Sequence, residues 1–174
     1  MKRGFVLYLF FSFGLLNAQV GKIFPALKGT TLDNTSFSLP VSNGKSTIVA
    51  IAFDRAAEND LKKWLNPLYS NFIKKGESVN FDMAELYDVN FVFIPMIAGF
   101  RRVADEFKKG TDKEFWPYIL DTEKTDVRDL QAQLEITDSK IPYFFVLDQN
   151  GKIVEYQSGR YSDDKLEKIE DAID

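Results

Sequence analysis

The chain has 174 residues, 45% of them hydrophobic and 14% aromatic, with 22 basic against 26 acidic residues and a formal net charge of −4. That composition belongs to an ordinary globular domain with a sizeable core; it excludes disorder and low complexity, and its acidity argues against nucleic acid or an anionic membrane surface as partner. The sequence has no Cys and no His, which excludes disulfides, thiol nucleophiles, imidazole bases and the usual zinc ligands.

The first predicted element is a leader. Met1-Lys2-Arg3 is basic, residues 4–16 form an apolar run, and small Ala18 closes it. This is the three-part layout of a secretory signal peptide, with cleavage expected between Ala18 and Gln19. A membrane span needs about 20 apolar residues, and Asn17 cuts this run short. With no cysteine there is no thiol for a lipid anchor. The expectation is a signal peptide over residues 1–18, one domain over 19–174, and export to the periplasm or beyond with no stable membrane anchor. Removing the leader takes Lys2 and Arg3 from the basic residues and none of the acids, so the net charge falls from −4 to −6.

"FPALKGTTLDNTSFSLP" alternates short apolar and polar stretches about Asp33-Asn34 and predicts a hairpin. "VSNGK" is a turn, and "STIVAIAF" is a strand buried on both faces. A helix follows over residues 57–75, with Leu61, Trp64, Leu65, Leu68 and Phe72 in one apolar stripe and a kink expected at Pro67. "GESVNFDMAELYD" is irregular. "VNFVFIPMIAG" is the next buried strand, and Pro95 marks an edge, a bulge or an early end. A second helix carries Phe100, Val103, Ala104 and Phe107 on one face and stops at Gly110. "FWPYILD" is strand-like, and "TDVRDLQAQLEI" is a third helix capped by its Thr or Asp. Residues 143–147 form a core strand, "DQNG" turns with Gly151 at positive φ, and residues 153–157 return. A final helix starts after Ser162 as cap, with Leu166, Ile169 and Ile173 facing inward. The doublets Lys62-Lys63, Lys74-Lys75, Arg101-Arg102 and Lys108-Lys109 are solvated helix faces. Strands alternating with helices, then a terminal hairpin and helix, predict an α/β domain with a mixed sheet covered on both sides.

Ile141-Pro142 before an aliphatic strand, then "DQNGKI", a second strand, Gly159 and an amphipathic helix, resembles the C-terminal half of thioredoxin-like proteins. The earlier "FPALKGTTLDNTSFSLP", "GK" and hydrophobic strand resemble the N-terminal extension of their exported, peroxiredoxin-like and thiol-disulfide-reductase-like branches. "GTTLD", "IVAIAF", "WLNP" and "IAGFRR" are also similar to the thioredoxin-like assembly factors of mitochondrial ATP synthase and their bacterial relatives. The resemblance spans about residues 24–173. It implies a thioredoxin-like mixed sheet with helices on both faces, an N-terminal β-hairpin extension, and a cis Ile141–Pro142 bond opposite the helix start. It also places the family's two active-site cysteines at Ala56 and Asn59, so the reactive sulfurs are absent and no thiol–disulfide or peroxidase chemistry is expected.

The function this implies is a redox-inactive protein that binds another polypeptide, as an assembly or folding factor. The expected binding face joins Arg55, Ala56, Ala57, Glu58 and Asn59 to Ile141, Pro142 and Tyr143, through main-chain pairing that survives loss of the sulfurs. No catalytic residue, metal or cofactor is expected. Glu58 and Asp60 read as acids complementing a helix N-terminus. Asp121, Glu123 and Asp126 are too few for a Ca²⁺ site without a glycine-bearing loop. Arg101 and Arg102 could cradle an anion at a helix end, or be plain surface. The rival classes are a thiol-independent enzyme, whose hydroxyl would be Tyr143, and a purely structural envelope domain.

Overall fold

The computed structural model describes residues 19–74, 88–95, 107–122 and 124–173. The leader, the irregular stretch before Asp88, Arg101-Arg102 with the helix-face residues Phe100, Val103 and Ala104, and Glu123 lie outside the described residues.

The expected hairpin is β1 (Leu27–Thr31) and β2 (Ser36–Leu39), paired antiparallel with Leu27 opposite Leu39. Asn34 takes the left-handed conformation in its turn, φ 72°, as a short polar side chain permits. β1 also pairs with the two-residue β5 (Leu120–Asp121), making a small antiparallel sheet of order β2-β1-β5. Gly29 is required there, because a Cβ at this position would run into the Asp121 carbonyl and come within 3.0 Å of Leu120.

The main sheet has the order β4-β3-β6-β7, formed by Asn90–Ile94, Thr47–Ile51, Tyr143–Leu147 and Ile153–Ser158. β3 runs parallel to β4 and antiparallel to β6, with Ile51 opposite both Ile94 and Tyr143. Pro95 follows an edge strand that ends at Ile94, as its missing N–H demands. Every residue of β3 and β6 is buried, and the period of two divides them between two cores. Ile48, Ala50, Phe91, Phe93, Phe144 and Val146 meet α1 (Glu58–Tyr69) and α3 (Asp163–Asp171). Val49, Ile51, Val92, Phe145 and Leu147 meet Val127, Leu130 and Leu134 at α2 (Lys124–Gln133), together with Phe24, Leu27 and Leu39.

The stripe on α1 is as expected: Leu61, Trp64, Leu65, Leu68 and Phe72 are all buried. Pro67 does not break the helix. It withholds one N–H from the ladder, and just beyond it the winding widens into a π turn, Ser70–Lys74, with the Ser70 N–H shared between Asn66 and Pro67 carbonyls.

Four local expectations are corrected. Most of "FWPYILD" is a 3₁₀ helix, Lys113–Tyr118, with Pro117 inside it, so only Leu120 and Asp121 remain strand. α2 begins at Lys124, ahead of both expected caps. Ser162 stands at the N-cap of α3 but its side chain makes no capping bond; its carbonyl accepts from Lys165 and Leu166 instead. Lys108 is not a solvated face: its ammonium donates to the Leu32 carbonyl and lies 4.3 Å from the centre of the Trp116 ring.

Candidate functional site

The site is a corner at one end of the main sheet. Beyond Ile51 the chain leaves β3 through Phe53 and Asp54, and opposite it Pro142 leads into β6. The rings of Phe53 and Tyr143 meet edge-on at 5.7 Å, fastening the two segments to each other. The turn into α1 is a short 3₁₀ helix, Arg55–Ala57, capped by Asp54, whose carboxylate accepts the Ala56 N–H at 2.8 Å. The cap thus lies four residues ahead of Glu58, the first of the acids expected to serve the helix end.

The expected site residues separate by exposure. Arg55, Ala56 and Asn59 are exposed and Ile141 is half-buried, whereas Ala57, Glu58, Pro142 and Tyr143 are buried. The Pro142 carbonyl accepts from the Gly159 N–H at 2.8 Å, and the Gly159 carbonyl accepts from the Trp64 indole at 3.1 Å. One glycine therefore ties α1 to the segment that opens β6. The main chain of Ile141 forms no hydrogen bond among the described residues.

Ile141–Pro142 is trans, contrary to expectation; the one cis peptide bond among the described residues is Leu39–Pro40. β6 still enters in register with β3. The loop before it is held by its own contacts, with Tyr143 Oη donating to the Asp138 carbonyl at 2.5 Å and Lys140 N–H to the Asp138 carboxylate at 2.9 Å. Placement of the strand thus rests on these bonds and on Gly159.

Two side chains at the corner have shifted acidities. Burial, with Tyr156 and Asp138 adding to it, pushes the Tyr143 phenol up to about 12. A phenol that is already donating and is made harder to ionise is the opposite of an activated hydroxyl, which weighs against the enzymatic rival. Glu58 is only 9% exposed, and its Oε1 has no hydrogen-bond partner. Burial raises its carboxyl above the usual carboxylate range, with Lys62 and Arg55 pulling the other way. The Lys62 ammonium, one turn along, lies 4.5 Å from the centre of the Phe107 ring.

Nothing in the sequence marked Glu58 as buried, because acids in the first helical turn are ordinarily solvated. Asp60 fits that pattern better: it accepts from Lys63 at 2.8 Å and from Arg160 at 3.2 Å, which hold its carboxyl below the usual range. Among the described residues no cluster of three metal-ligating side chains occurs.

Comparison with known proteins fits this architecture. The thioredoxin domain of a thiol-disulfide oxidoreductase from Bacteroides vulgatus aligns with a TM-score of 0.63 at 23% identity, over 89% of this chain and 98% of that one. A thiol:disulfide interchange protein from Bacteroides sp. aligns at 0.55 and 21%, over 91% and 92%. Copper-bound ScoI from Arabidopsis thaliana gives 0.55 and 15%, over 83% and 93%. At these identities the likeness establishes the fold, a thioredoxin-like α/β domain with a small antiparallel sheet from its N-terminal part. No curated protein sequence matches the chain. The family model described as ATP10 protein matches residues 14–173. A thioredoxin-like domain without a single thiol, matched over nearly its whole length, this chain belongs to the ATP10 protein family.

Proposed function

We propose that this ATP10-family protein is a redox-inactive assembly or folding factor of the cell envelope, binding another polypeptide at the corner where Arg55, Ala56, Ala57, Glu58 and Asn59 face Ile141, Pro142 and Tyr143. The observation that carries the reading is the open main chain of Ile141, two residues before the Tyr143 ring that meets Phe53, with exposed Arg55, Ala56 and Asn59 following Phe53 in the chain. An extended peptide can pair with such a main chain whether or not sulfurs are present, and side chains flanking it supply the selectivity. The buried residues of the set shape the floor of the site, and the exposed ones meet the partner. The family match supports an assembly role, and the leader supports export, so the client is an envelope polypeptide.

A photo-crosslinking amino acid placed at Ala56 or Asn59, in the producing cell, tests this. The expected outcome is one dominant adduct shared by both positions and absent from a control at Ser38, on the hairpin. Adducts of equal yield and identity at Ser38 would defeat the corner as a binding face. Comparing the ATP synthase content of cells with and without the gene then asks whether the client belongs to that complex.

A further inference from the structure

Two Asn-Gly steps lie outside the corner, Asn43-Gly44 and Asn150-Gly151. In such a step the glycine nitrogen attacks the asparagine Cγ, the Cγ–Nδ2 bond breaks, and ammonia leaves with the proton from the attacking nitrogen. Water then opens the cyclic imide at either carbonyl, giving aspartate or isoaspartate. Glycine favours the attack because no Cβ obstructs the approach. An unfolded chain would treat the two steps alike, and the fold does not.

Asn43 is clamped through its reacting group. Its Nδ2 donates to Asn90 Oδ1 at 2.8 Å and its Oδ1 accepts from Asn90 Nδ2 at 2.9 Å, a reciprocal amide pair. The same Oδ1 accepts the Lys45 N–H at 3.2 Å, and Asn90 is itself fixed to the Thr47 hydroxyl at 3.2 Å. Turning Cγ toward the Gly44 nitrogen breaks all the bonds to this carboxamide. Asn150 is exposed and its carboxamide forms no hydrogen bond among the described residues. Reaction there has to release one bond on the nucleophile, from Gly151 N–H to the Asp148 carbonyl at 2.9 Å.

We propose that Asn150 is the site at which the folded protein deamidates, with water as the only co-reactant, and that Asn90 protects Asn43. The consequence is local and severe. Isoaspartate adds a carbon to the main chain of the β6–β7 turn, where the Asp148 carboxylate holds the Asn150 and Lys152 N–H groups at 2.8 and 2.9 Å. The turn is closely backed at its next residue, where a Cβ added to Gly151 would come within 2.5 Å of Pro40.

Ageing the purified exported protein in mildly alkaline buffer, folded and in urea, with peptide mapping by mass spectrometry, tests the proposal. In urea the two sites should react at similar rates. Folded, Asn150 should react faster than Asn43 by about five-fold or more, the factor one net hydrogen bond provides. Asn90→Ala should accelerate Asn43 by a similar factor and leave Asn150 unchanged. Equal rates in the folded protein, a faster Asn43, or an Asn90→Ala protein whose Asn43 stays slow would overturn it. Should Asn90→Ala fail to fold, Asn43 reacting as fast in the folded wild type as in urea overturns it alone.

Discussion

At Glu58 burial and charge pull against each other. Its carboxylate is shielded from water and Oε1 has no partner, so the ionised form is penalised in the native state but not in the unfolded chain. A carboxyl whose native acidity is weakened in this way holds its proton more tightly when folded. Its contribution to stability is complete below the unfolded pKa and is lost as pH rises through the higher native value. Glu58→Gln should therefore stabilise the protein at neutral pH, by about 1 kcal/mol, with the gain shrinking to nothing as pH falls below the ordinary carboxylate range. Urea melts of both proteins at neutral and acidic pH check this. A variant no more stable than wild type at neutral pH would mean that the helix N-terminus and Lys62 fully compensate the charge.

Among the elements, the junction of β1 with β5 is the tightest. Gly29→Ala should cost about 2 kcal/mol, as overpacking commonly does, because the obstacle is the Asp121 main chain rather than a flexible side chain. A lowered urea midpoint with an unchanged slope is the expected result; wild-type stability would show that the hairpin shifts freely against β5. Elements with a strong apolar pattern were legible in the sequence: the continuous apolar runs of β3 and β6 and the helical stripe on α1 all lie where those patterns placed them. The 3₁₀ helix at Lys113–Tyr118 was not, because an aromatic, Pro-containing run reads equally as strand until its packing is known. Lys108 was misread for the same kind of reason. Its partners, Leu32 and Trp116, are chosen by tertiary contact, which no local pattern carries.

For the whole molecule, order and spacing revealed the fold and located the corner, while the sequence left open which of the corner residues are buried. The trans Ile141–Pro142 bond is the ordinary state of an X–Pro bond, and the burial of Glu58 is a matter of packing that no periodicity carries. Two expectations follow from the molecule as a unit. The pure protein should leave insulin disulfides intact and turn over no peroxide, having no thiol to do either; measurable turnover would point to chemistry outside the fold's usual sulfurs. The protein isolated from its producing cell should begin at Gln19 by intact mass, and retention of Met1 would remove the basis for an envelope client. Gln19 already belongs to the packed domain, with its side-chain amide donating to the Leu134 carbonyl at 3.0 Å.

Trp64 gives the corner an optical readout. Its indole is fully buried, tilted by 33° against Phe144 with ring centres 4.1 Å apart and edge-on to Tyr161 at 5.1 Å, while its N–H holds the glycine that also secures Pro142. The chain has one other tryptophan, Trp116, half-buried beneath a lysine ammonium. Replacing Trp116 with Phe leaves a single indole, excitable at the red edge where tyrosine does not absorb, wired to the Pro142 segment. Its emission colour and intensity would follow any displacement of that segment, so partner engagement could be timed in solution without attaching a dye.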